Sequence, residues 1–215
     1  MRQFGLEHTV AEHVADGIIH GLGVLFAACA TTALIVWAAF RLPGEQIVAL
    51  SIYAAGLVAC FSFSAAYNMT LHAGARAFLR RLDHAAIFIM IAGTYTPMAL
   101  IGIGGTKGAL LVLAVWIIAA IGIILKLAFF ERFPRIEFSL YLLQGWLAIF
   151  AFGPMLDSLA PAAVLLLAIG GLTYTAGTVF HLRDHWPFNR AIWHGMVLAA
   201  AATHYAAVIT VAATA

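Results

Sequence analysis

The chain has 215 residues, 64% hydrophobic and 9% charged, with a formal net charge of +2. Soluble domains carry about a quarter charged residues, so this composition excludes a soluble globular enzyme and gives no footing for nucleic-acid binding. It predicts a single polytopic domain over 1–215, with room for about seven spans of ~20 residues and short loops. Apolar runs of this length predict helices; barrel strands would alternate over ~10 residues.

The first sixteen residues are polar and include Glu7, Glu12 and Asp16. They lack a basic leader, so the first run, 17–40, is read as a retained span and not a cleaved signal peptide. Glu12, Asp16 and His20 recur at i, i+4 and i+8, on one helix face. Asp16 is placed to orient the His20 imidazole; alternatively, the acidic residues form a solvated first turn favoured by the helix dipole. A turn at Arg41-Leu-Pro-Gly-Glu45 leads to the second run, 46–68. Its end carries Ser64, Asn68 and His72, again one turn apart. A basic loop, 73–81, and then Asp83-His84 open the third run, 84–103. This group fits a metal or acid–base site. It also fits a hydrogen-bonded helix end, with Asp83 as the cap and His72 at the interface.

Within the third run, Thr94-Tyr-Thr-Pro97 predicts a kink. A glycine-rich segment, 102–108, precedes the fourth run, 108–130, and a charged loop, 131–135, precedes the fifth, 137–156. Pro154 and Pro161 bracket the turn to the sixth run, 161–181. The segment 183–187 precedes the seventh, 191–213. There Arg190 and His194 are i, i+4 neighbours. His204 lies about 15 Å further along the axis, too far to share a close metal site with His194, and is expected to hydrogen-bond between helices. Cys29 and Cys60 both fall within apolar runs and read as small buried side chains.

Ionisable groups near the centre of a span cost about 2.5–3.5 kcal/mol each on insertion scales. Those that persist usually pair, bind something or do chemistry. The distribution of basic residues orients the spans. Of the eleven lysines and arginines, only Arg41 and Lys107 lie on one side of a seven-span topology; the other nine share the side of the N-terminus. The positive-inside rule therefore predicts a cytoplasmic N-terminus and an external C-terminus. It also places His20, His72, Asp83 and His194 near the cytoplasmic ends of their helices, where a polar site is expected to converge.

Several motifs occur in a recognisable order: Ala15-Asp-Gly-Ile-Ile-His20-Gly, the segment 64–83, Leu82-Asp-His-Ala-Ala-Ile87, Ala92-Gly-Thr-Tyr-Thr-Pro97, Gly145-Trp146, and Ala191-Ile-Trp-His-Gly195 followed by His204. With these motifs the chain resembles the bacterial hemolysin III proteins, within the wider progestin and adipoQ receptor family. The resemblance implies a seven-helix cell-membrane protein acting on or sensing membrane lipid. If it is an enzyme, the resemblance implies a zinc-type hydrolase of lipid amides, with Asp83 positioning a metal-bound water and Ser64 supporting it. The non-catalytic alternative is a lipid sensor. A cytolysin, suggested by the family name, fits a resident helical bundle less well.

Receptor members of that family hold zinc by one histidine on the second helix and two on the seventh. Ser64, Asp83 and His194 match the pattern, but Asn68 and Arg190 stand at two of the histidine positions. Asparagine is a poor zinc ligand, and a fixed cation repels a divalent metal. Three expectations follow. A zinc site is displaced onto His194, His72 and His20, or Arg190 pairs with Asp83 or Asp16 in place of the ion, or Arg190 holds an anionic headgroup. Membrane lipids are the expected partners.

Overall fold

The computed structural model describes residues 9–130, 132 and 134–214. Among them there is no strand, and seven helical spans are long and apolar enough to cross a membrane.

The first helix, α1, runs Val10–Arg41 and so begins before the predicted start at 17. A capping box explains the extension. Glu12 Oε2 accepts from the Thr9 backbone N–H and hydroxyl, both at 2.8 Å, while the Glu12 N–H donates to Thr9 Oγ1 at 3.3 Å. The other Glu12 oxygen accepts from the Phe188 N–H at 2.9 Å, tying the start of α1 to the approach of the last helix.

After the turn at Pro43, α2 spans Gly44–Met69. Thr70 leaves the helix with extended geometry, and α3 follows at Ala73–Pro97. The segment 73–81 was expected to be a loop and is helical. Its arginines do not break the helix, because arginine is a good helix former and these side chains find partners. Arg76 lies over the Tyr67 ring at 5.1 Å, and Arg81 donates to the Leu127 carbonyl at 3.0 Å. The cap is His72, whose Nδ1 accepts from the Ala75 N–H at 3.1 Å. Asp83, expected to cap this helix, lies well inside it.

The helix keeps its register to Pro97, then widens into a π-helical segment, Met98–Ile103. Gly104 and Gly105 close it at φ of 67° and 54°, a region open to glycine at little cost. The fourth span, α4, is Gly105–Ala128. The fifth span is broken: α5 (Pro134–Gly145), a 3-10 segment (Leu147–Ala151) and α6 (Phe152–Ser158). Irregular backbone inside a membrane is tolerated where protein satisfies it. Tyr95 does so here, donating to the Gly145 carbonyl and accepting from the Ala148 N–H, each at 2.8 Å. The last two spans are α7 (Pro161–His181) and α8 (Asn189–Thr214).

Helix α3 is central, packing on α2, α4 and α5, while α1 packs on α2 and α8, and α7 packs on α8. Close approach of α2 and α3 rests on two glycines. A Cβ at Gly56 would sit 3.0 Å from the Ile89 carbonyl oxygen, and one at Gly93 would sit 3.2 Å from that of Ile52. Without water to drive helices together, such close packing is what holds them. Helices α5 and α7 are not close-packed against one another; the Trp146 indole N–H reaches across to Thr175 Oγ1 at 3.1 Å.

Candidate functional site

A cavity of about 910 Å³ lies between α2, α3, the fifth span, α7 and α8. Most of its wall is apolar, including Phe61, Met90, Met98, Leu167, Tyr174 and Val197. Its charged residues include Arg80 and Asp83 in the first half of α3, Lys126 in the last turn of α4 and Arg190 at the start of α8. His20, Ser64, Asn68, Asp83, Arg190 and His194 all line it.

Sequence spacing puts Asp16 and His20 on one face of α1, and that face meets α8. Asp16 and His20 are each 3% exposed. Asp16 Oδ1 is 2.6 Å from His194 Nδ1, and its Oδ2 is 3.6 Å from His20 Nε2. The two imidazoles lie side by side, with ring centroids 4.4 Å apart. One ligand atom from each of the three residues falls within 4.8 Å of the others. His20 Nε2 is buried with no hydrogen-bond partner. Asp16 is therefore not part of a solvated first turn; it is a buried bridge between two histidines.

Across the cavity, Asp83 is 9% exposed and has Ser64 as its polar neighbour, with His20, Lys126 and Arg80 as the basic groups bearing on it. Asn68 turns back on its own helix, its amide donating to the Ser64 carbonyl at 3.0 Å. Arg190 borders both this cavity and a small cleft that it shares with Glu12 and Asp16. His204 is 3.2 Å from the Leu167 carbonyl, bonding α8 to α7, and its ring fills the space above Gly170.

The structure does not bring His72 into the group. The stripe Ser64, Asn68, His72 assumes continuous helix, but α2 ends at Met69. His72 is exposed and spends Nδ1 on its cap, so the expected convergence of His72 with Asp83 and His194 fails for His72 alone.

Sequence reasoning missed Lys126 and His84 as cavity residues. Lys126 is only 6% exposed, and its Nζ lies 3.2 Å from His84 Nδ1 and over the Phe130 and Tyr141 rings. It was counted only as a topology signal. Its position inside the apolar run 108–130 was the available clue, since a cation there must find partners.

The profile described as "Haemolysin-III related" matches residues 8–205. The "Hemolysin-3 homolog" of Bacillus subtilis (strain 168) is 37% identical over 201 residues, covering 94% of each chain. The chain belongs to the haemolysin III family. The "Hemolysin-3" of Bacillus cereus is 35% identical over 200 residues, 93% of this chain and 91% of that relative. The human "Monocyte to macrophage differentiation factor" is 29% identical over 210 residues, 93% of this chain and 84% of that relative, which supports the wider progestin and adipoQ receptor grouping.

The zinc pattern implied by that wider family does not fit this haemolysin III protein. It needs imidazoles at positions 68, 190 and 194, and only His194 is one. The Asn68 amide is committed to Ser64, and Arg190 places a cation on the wall.

Proposed function

We propose that this haemolysin III protein takes a membrane lipid into its cavity and senses it or acts on it. The cavity carries the reading: about 910 Å³ of space, apolar over most of its wall, with Arg80, Asp83, Lys126 and Arg190 among its lining. Ligand pockets of ~300–1,000 Å³ with a few convergent polar groups are the usual form of small-molecule sites. A lipid fits the division of this wall. Its acyl chain would lie along Met98, Leu167, Tyr174 and Val197, and its headgroup would meet Asp83, Arg80, Lys126 and Arg190. A lipid would enter from the bilayer between α5 and α7, where the helices are not close-packed.

A second reading, hydrolysis of a lipid amide, is favoured by one observation. Asp16 holds His194 Nδ1 at 2.6 Å, and the ring lines the cavity. A carboxylate that orients an imidazole leaves the other ring nitrogen free to accept a proton.

Lipid titration of purified protein tests the main reading. Gly171 lines the cavity, and a Cβ there meets nothing within 4 Å. Membrane lipids should raise the melting temperature of the unaltered protein. Gly171→Phe should fill the space, fold normally and lose that response. An unaltered response in Gly171→Phe would refute occupancy of the cavity.

A further inference from the structure

We propose that Asp16, His20 and His194 form a divalent transition-metal site between α1 and α8, distinct from the family's zinc pattern. Two of its ligands come from one face of α1, and the third comes from α8. No ligand is drawn from α2, where that pattern would require one.

Three observations carry this. The donors are one carboxylate and two imidazoles, a set that suits zinc, cobalt or nickel and not calcium or magnesium. One ligand atom from each lies within 4.8 Å of the others, close enough for small rotations to bring them to the ~2.0–2.2 Å bond lengths of such ions. The third observation separates the site from a merely hydrogen-bonded cluster. A proton between Asp16 and His194 explains their 2.6 Å separation. It leaves His20 unexplained: the residue is 3% exposed, and its Nε2 stands 3.6 Å from Asp16 Oδ2, too long for a hydrogen bond, with no other partner. Buried ring nitrogens rarely go unsatisfied in native proteins. An ion bound by His20 Nε2, an Asp16 oxygen and His194 satisfies it, displacing the Asp16–His194 proton as it binds.

Charge and access agree with the assignment. Arg190 is the cation that opposes a divalent ion here. Asp16 as a ligand and Glu12 in the adjoining cleft offset it. Asn189, whose buried Oδ1 also lacks a partner, borders both the cleft and the main cavity. Because His20 and His194 line that cavity, a fourth coordination position would open into it.

Metal binding can be read without any assay of activity and whatever fills the cavity. Chelator-treated protein in detergent is titrated with Co²⁺ and followed by visible absorption, then challenged with Zn²⁺. The expected result is one equivalent of Co²⁺ giving the intense d–d bands of a four- or five-coordinate ion, displaced by Zn²⁺. His20→Ala and Asp16→Asn should each weaken binding at least 100-fold. His72→Ala and Asp83→Asn should leave it unchanged. Absence of stoichiometric binding in the unaltered protein overturns the proposal, as does binding that survives His20→Ala. Should those variants fail to fold, X-ray absorption of zinc bound to the unaltered protein decides. Two imidazoles in the coordination shell support the site; one or none overturns it. Absence of metal binding by the unaltered protein, with its lipid response intact, would refute this inference and leave the lipid reading standing.

Discussion

Asp16 shows how one buried carboxylate can organise two helices. It is 3% exposed and faces two histidines, one on its own helix and one on α8. Removing it in the presence of a chelator leaves His194 without its acceptor and takes the carboxylate away from the His20 ring. Asp16→Ala should therefore cost about 1–3 kcal/mol, measured by denaturation in mixed micelles, and an unchanged midpoint would mean the bridge is not structural. Gly170 makes the complementary point about volume. Any Cβ there overlaps the His204 ring, so the glycine and the histidine form one packing unit. Gly170→Leu should destabilise by about 1–3 kcal/mol through overpacking. Pairing it with His204→Ala should restore part of the loss, since the ring that causes the clash is gone.

At the scale of elements, His72 has a capping role that spacing alone hid. Its exposed ring holds the first turn of α3, so His72→Ala should lower stability by about 0.5–2 kcal/mol and leave lipid binding unaffected. A loss of lipid response would contradict that assignment. The seven spans were legible in the sequence because each is a long apolar run between polar breaks. What the sequence obscured has physical causes. The charges of 73–81 looked like a loop because arginine partners on other elements, such as the Leu127 carbonyl, are invisible in one dimension. The interruption of the fifth span at Gly145 depends on Tyr95, fifty residues away, accepting and donating in place of helical bonds. Of the candidate site, the Asp16–His20 pairing was readable from its i, i+4 spacing. Its meeting with His194, 178 residues away, was not, because no periodicity links α1 to α8. Lys126 was hidden by its usefulness as a topology marker.

For the whole molecule, orientation follows from charge and function from the cavity. The charge asymmetry predicts that the loop ahead of α3 faces the cytoplasm and the end of α8 faces outward. Reporter fusions after Arg81 and after Ala215 should therefore report opposite sides; matching signals would contradict a seven-span topology. The central claim is that lipid enters the interior of the bundle. Its most direct test is photocrosslinking in bilayers with a lipid bearing a diazirine on its acyl chain, with labelled residues mapped by mass spectrometry. Labelling is predicted at cavity residues such as Met98, Tyr174 and Val197 and should be lost in Gly171→Phe. Labels confined to outward-facing residues such as Phe40, Leu110 and Phe150, with the same pattern in Gly171→Phe, would contradict it.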